Sequence, residues 1–164
     1  MPEMGDNGGM YISARVDYAI RALLELAAAQ RENPRAMLKG DAIAELHGIP
    51  TKFLVGVLTT LRTAGILSSM RGRDGGFRLA REAKDISVAD VMRALEGPLA
   101  EVRGERPEET EYVGAARHLR DVWIATRVAL RSVLENTSLA DIETGNLSSE
   151  VANLLSAPGA WARR

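Results

Sequence analysis

The chain has 164 residues, enough for one domain or one domain with an appendage, and 46% of them are hydrophobic, ample for a core. It has no cysteine, which excludes disulfides, thiolate catalysis, thiolate-held zinc and cysteine-ligated iron–sulfur clusters. A net charge of −1 argues at first against a polyanionic partner, but the charge is unevenly spread. Residues 10–81 carry eleven Lys/Arg against six Asp/Glu, whereas residues 82–164 carry ten against fourteen. A basic head on an acidic body is the footprint of a DNA binder with a separate assembly or sensing part. No signal-peptide pattern opens the chain and no apolar run reaches the ~18 residues of a membrane span, so a soluble, cytoplasmic protein is expected.

Residues 1–9, MPEMGDNGG, have no periodicity and are predicted to form a disordered leader. A DNA-binding head is assigned to residues 10–81. Its first helix is predicted from about Ser13, a good N-cap, to Arg31, with Tyr18, Ala22, Leu26 and Ala29 on one face. Near its start Ser13, Arg15 and Tyr18 can reach a DNA phosphate, although Tyr18 suits the core as well. Ala42, Ile43 and Leu46 then mark a second helix. Gly48 ends it, Ile49 can plug the core, and Pro50 excludes helix at the residue before it. Thr51 is the expected cap of a third helix that buries Phe53, Leu54, Val57, Leu58 and Leu61.

That third helix leaves Thr51, Lys52, Val55, Gly56 and Thr59 on its outer face, all small, polar or cationic. Such a helix, about 10–12 Å across, fits a major groove about 12 Å wide. Ala64-Gly65 stops it. Ile66–Met70 reads as a strand, Arg71-Gly72-Arg73-Asp74-Gly75-Gly76 as a hairpin tip, and Phe77-Arg78-Leu79 as the partner strand. A glycine-rich phosphate cradle would open onto a helix instead, but here the residues that follow alternate as a strand does. Arg71 and Arg73 beside a recognition helix suit phosphates or a narrow minor groove, with Arg78 and Arg15 adding electrostatic positioning. The fold class expected is mainly α with a small β-hairpin wing: a winged helix-turn-helix head followed by a long dimerisation helix.

In residues 82–98 a connecting helix is predicted, opened by Ser87-Val88-Ala89-Asp90, which has capping-box spacing with Asp in the usual Glu/Gln position. Residues 99–111 hold seven charged groups, Gly104 and Pro107, and read as a loop. Residues 112–142 are assigned to a dimerisation helix and its cap. Leu119, Trp123, Thr126, Leu130 and Val133 recur at alternating spacings of three and four, a coiled-coil-like seam. A helix packed on its own domain would show a similar stripe. The dimer is preferred because two-fold proteins match two-fold operators and the head is small for so wide an apolar face. Residues 143–164 are expected to be a flexible tail. His47 and His118 share no metal-ligand spacing and no catalytic motif occurs, so neither an enzyme nor a cofactor is expected.

Taken together these stretches resemble the Rrf-two family of bacterial regulators. The resemblance rests on MYISARVDYAIRALLELA, on IAELHGIPTKFLVGVLTTLRTAGILSSMRGRDGGFRLAR, on ISVADVMRALEGPL, and on HLRDVW and TSLADI. It implies a homodimeric regulator on an imperfect palindrome, with the recognition helix in the major groove of double-stranded DNA and Arg71 in the minor groove. Repression is the expected direction. Many members hold an iron–sulfur cluster on three cysteines between the EGPL element and the dimer helix. That stretch here has none, and Asp17, where some members place a carboxylate ligand, cannot hold a cluster alone. A cysteine-free branch is therefore implied. Such a regulator has two alternative inputs, a small-molecule effector or a docked biosynthetic enzyme, with sulfur or cysteine metabolism as the family-level signal. Where members often carry Glu in the recognition helix this chain has Val55, which can pack on a thymine methyl but cannot accept from cytosine.

Overall fold

The computed structural model describes residues 12–163 and contains seven α-helices and one β-hairpin among them. The expected leader, residues 1–9, lies outside the described residues. Helix α1 (Ala14–Glu32) starts where Ser13, in extended conformation, accepts the Val16 N–H on its side chain. Its buried face runs through Val16, Ala19, Ala22, Leu23 and Leu26, and the rest of the head packs around it.

Helices α2 (Gly40–His47) and α3 (Thr51–Thr63) meet at a tight turn. Gly48 has φ +63, a left-handed value that L side chains avoid, and this lets the Ile49 N–H reach back to the Ala44 carbonyl at 2.9 Å. Ile49 is thereby driven into the core. Thr51 is not the cap of α3: Pro50 occupies that place, and Thr51 is the first helical residue, without a side-chain capping bond. The apolar face of α3 buries Leu54, Val57, Leu58 and Leu61. Phe53, expected with them, is 46% exposed and meets Tyr18 edge-on, with ring centroids 5.8 Å apart.

Strands β1 (Leu67–Met70) and β2 (Gly76–Leu79) pair antiparallel, with Leu67 opposite Leu79 and Met70 opposite Gly76. Leu38, from the segment before α2, extends the pairing by exchanging two backbone hydrogen bonds with Phe77, at 3.0 and 2.7 Å. The approach is so close that a Cβ on Gly76 would lie 2.5 Å from the Leu38 carbonyl oxygen, so only glycine serves there.

Helix α4 (Val88–Glu96) opens with the anticipated capping box: Ser87 accepts the Asp90 N–H, and Asp90 accepts the Ser87 N–H. Ser138 and Asp141 repeat the device at α6 (Leu139–Thr144). The two starts are tied together, Val88 N–H to the Thr137 carbonyl and Leu139 N–H to the Ile86 carbonyl, so α6 lies back on α1 and buries Leu139 in the head core.

Between them, residues 99–111 are more built than a charged loop suggests. Pro107 and Thr110 are buried, Val102 and Glu105 exchange two backbone hydrogen bonds, and Pro107–Glu109 forms a 3-10 turn capped by the Thr110 hydroxyl. Helix α5 (Leu119–Leu134) starts seven residues later than the predicted 112, because the chain first turns through a short 3-10 segment at Gly114–Ala116. The tail expected to be flexible holds a further helix, α7 (Ser149–Leu155), capped by Ser148. Among the described residues no helix is long and apolar enough to cross a membrane.

Candidate nucleic-acid interface

The packing of α3 decides what it shows to the outside. With Leu54, Leu58 and Leu61 facing α1, the residues Thr51, Lys52, Val55, Gly56 and Thr59 are all exposed on the opposite side. Thr59 turns its hydroxyl back to donate to the Val55 carbonyl at 2.8 Å. Val55 is 39% exposed and leans on α2, its Cγ2 lying 3.3 Å from where a Cβ on Gly40 would be. The start of α3 lacks a side-chain cap and has no acidic residue in its first turn, whereas at the start of α2 the Asp41 carboxylate accepts the Ala42 N–H at 2.9 Å.

At the wing, Arg71 and Arg73 are exposed on the tip, as the sequence reading expects. Sequence reasoning missed two braces that hold this tip in place. Lys39 donates to the Gly72 carbonyl at 3.4 Å, and Arg62 on α3 donates to the Ser69 hydroxyl at 3.1 Å. The second fixes the wing to α3 itself. Nothing in the local pattern announces them: Gly72 is 33 residues from Lys39, and Ser69 meets Arg62 only once the chain has turned from α3 into β1.

Three of the expected contact residues are directed elsewhere. Arg78 is half-buried at the base of the wing and donates to the Pro34 carbonyl at 2.9 Å. Ser13 donates to the Glu96 carboxylate, and Arg15 spans the Leu95 carbonyl and the Thr60 hydroxyl. Each is a long-range contact that a linear reading of α1 or β2 does not contain.

Helix α5 is the other half of the arrangement. Leu119, Trp123, Thr126, Leu130 and Val133 lie along it and are all only partly buried, while Val122 and Val128 are 53% and 56% exposed. None of its sixteen residues is fully buried within the single chain. Ion pairs fasten it at two points, Arg127 to Glu108 of the preceding loop and Glu135, just past its end, to Arg93 of α4. The Glu108 carboxyl is held below its ordinary range, by its own backbone N–H first and then by Arg127. Trp123 donates to the Tyr112 hydroxyl at 3.1 Å, which fixes the indole against the loop edge of the helix.

The two histidines do not converge. His47 at the end of α2 meets Glu25 at 2.9 Å, and His118 accepts from Arg117 at the start of α5. Asp17 pairs with Arg21 one turn along α1. Among the described residues no three His, Cys, Asp or Glu side chains gather as a metal site would need.

Comparison with known proteins agrees with this geometry. A family model described as "Rrf2: Iron-dependent Transcriptional regulator" matches residues 12–144. The chain is 46% identical over 145 residues to a Mycobacterium tuberculosis protein bearing the name HTH-type transcriptional regulator Rv1287, covering 88% of each. It is 32% identical over 133 residues to the HTH-type transcriptional regulator CymR of Bacillus subtilis, covering 81% of this chain and 89% of that one. The solved structure of CymR, titled the global cysteine regulator of B. subtilis, superposes with a TM-score of 0.69 at 29% identity over 84% of this chain and 98% of that one. That of IscR from T. potens does so with a TM-score of 0.66 at 29% identity, covering 84% and 89%. The iron in the family description does not fit the residues here. Iron–sulfur clusters are held chiefly by thiolates; the sequence has no cysteine, and among the described residues no set of harder ligands gathers in their place. The remaining features, an open recognition face, a braced basic wing and the EGPL-ended α4, belong together in one class of molecule. The chain is a member of the Rrf2 family of helix-turn-helix, DNA-binding transcriptional regulators.

Proposed function

We propose that this regulator acts as a homodimer on an imperfectly two-fold operator, without an iron–sulfur cluster, and represses by occupying that site. The observation that carries the reading is the pairing of an uncovered apolar helix, α5, with an uncovered recognition face on α3. A helix in a protein gains most of its stability from packing an apolar face, and α5 buries none of its residues fully within its own chain. A second copy supplies one, and a two-fold pair then presents two α3 helices to successive turns of DNA. Thr51, Lys52, Val55 and Thr59 face the base edges, and Arg71 and Arg73 reach the adjacent groove and phosphates. Val55 favours an A·T pair at its position through the thymine methyl. Repression needs no surface beyond those that hold the operator.

The test is selection of bound fragments from random duplex DNA at roughly 0.15 M salt, where sequence-independent binding is weak. A two-fold motif with half-sites about one helical turn apart supports the reading. No enrichment removes it.

A second reading adds an effector or enzyme partner. It is favoured by a cleft of about 550 Å³ between the end of α1, the base of the wing and α6. Ala27, Ala80 and Ala140 leave the space, and Arg31, Arg81 and Glu143 line it. The likeness to a protein titled a cysteine regulator makes cysteine the first compound to try. Operator affinity measured with and without it, and co-purification of the tagged chain from its host, would separate this reading from simple operator binding.

A further inference from the structure

Ser13 and Arg15, two of the residues that the sequence offers to DNA phosphates, form a bridge inside the fold. Arg15 donates through one terminal nitrogen to the Leu95 carbonyl at 2.8 Å and through the other to the Thr60 hydroxyl at 3.3 Å. Leu95 lies in the last turn of α4, where carbonyls have no partner within the helix and where a cation is favoured by the helix dipole. Thr60 lies on α3 and donates its own hydroxyl hydrogen bond to the Gly56 carbonyl at 3.2 Å. Gly56 belongs to the exposed face that α3 offers to DNA. Ser13 reinforces the joint, accepting the Val16 N–H and donating to the Glu96 carboxylate.

A guanidinium suits this place because its rigid fork spans two acceptors on two different helices, which a lysine ammonium on one stem does not. The joint also stands on the line between the two halves of the molecule. Directly after α4 come Gly97-Pro98 and the built loop 99–111, and Glu108 of that loop is fastened to Arg127 of α5.

We propose that Arg15 is a positioning residue for DNA recognition. It sets α3 against α4 by bridging Leu95 and Thr60 and makes no phosphate contact. The proposal rests on the reading that α3 faces DNA.

The difference between positioning and phosphate contact is measurable. Positioning acts on the specific complex alone. A phosphate contact strengthens operator and random DNA alike and adds about 0.9 to the slope of log affinity against log salt. Binding of wild type, Arg15→Gln, Arg15→Lys, Thr60→Val and the Arg15→Gln/Thr60→Val pair would be followed by fluorescence anisotropy. Each is titrated on the selected operator and on a random duplex of the same length, over a salt series. For Arg15→Gln we expect a roughly tenfold loss on the operator, the size of one charge-assisted hydrogen bond, with random-duplex affinity and salt slope unchanged. Thr60→Val should lose less, and should add nothing in the Arg15→Gln background, because both remove the same bridge. Arg15→Lys should fall between wild type and Arg15→Gln.

Equal losses on both duplexes with a lowered slope would make Arg15 a phosphate contact and overturn the proposal. So would Thr60→Val binding as wild type does, and that comparison decides the matter even if Arg15→Gln fails to fold. Absence of operator-specific binding by the wild type would instead remove the reading of α3 itself, and this role with it.

Discussion

Two helices of similar length, α3 and α5, have opposite fates in the same chain. Helix α3 has thirteen residues, buries four of its apolar side chains against α1 and the strands, and leaves a polar face outside. Helix α5 has sixteen, carries an apolar stripe at seam spacing, and buries none of it fully. The difference is one of supply. The head has α1, α2, β1, β2, α4 and α6 gathered round a single core, so α3 finds its partners within its own chain. Helix α5 touches its own chain mainly through the 3-10 turn at 107–109 and α4, where Arg127 pairs with Glu108 and Glu135 with Arg93. An exposed ion pair such as Arg93–Glu135 contributes little, about 0–1 kcal/mol, so it orients α5 without accounting for its stability. One half of the molecule buries its apolar residues fully within the chain, and the other does not.

This contrast can be broken from either side. The largest expected effect is in the head. Leu58→Ala removes a fully buried side chain and should cost about 2–5 kcal/mol, read as a drop in melting temperature that does not depend on protein concentration. On the other side, Leu130→Asp puts a charge on the seam. It should leave the head folded, abolish the dependence of melting temperature on concentration, and weaken operator binding because one head alone grips half a site. If Leu130→Asp unfolds the chain as Leu58→Ala does, α5 is part of the head core and the contrast is false.

Smaller effects sharpen the recognition half. Arg71→Ala should cost about 1–3 kcal/mol of operator binding, the usual size of an arginine base contact, measured by titration of the selected duplex. Lys52→Ala should weaken all sequences alike and lower the salt slope by about one unit if its partner is a phosphate. Val55→Glu should move the preferred base at one operator position from A·T towards C·G with little change in overall affinity. An unchanged base profile would refute that contact.

Much of the head was legible because its signals are local. The Ser13 cap, the Gly48 turn, the hairpin with glycines at its tip and the Ser87–Asp90 box each depend on residues within a few positions of one another, and each forms as read. What the sequence hid depends on distance. Phe53 has the spacing of the buried stripe, yet its ring ends at the edge of the core against Tyr18, which only the crossing of α1 and α3 determines. Arg15, Ser13 and Arg78 look like free surface groups until α4 and the segment before α2 arrive beside them.

Other misreadings had local signals that were outweighed. Charge density in residues 99–111 concealed the burial of Pro107 and Thr110. Polar composition in the tail concealed the Ser148 cap and the Val151, Leu154 and Leu155 spacing of α7. Gly114 marked the break before α5, but the seam periodicity carried the predicted helix past it.

The most direct test of the contrast is the mass of the free protein in solution, followed by light scattering across a wide dilution series. We predict twice the chain mass of 17.7 kDa for the wild type, and the single-chain mass for Leu130→Asp with the head still folded. A wild type that stays at the single-chain mass at every concentration, with α5 intact, would contradict the account.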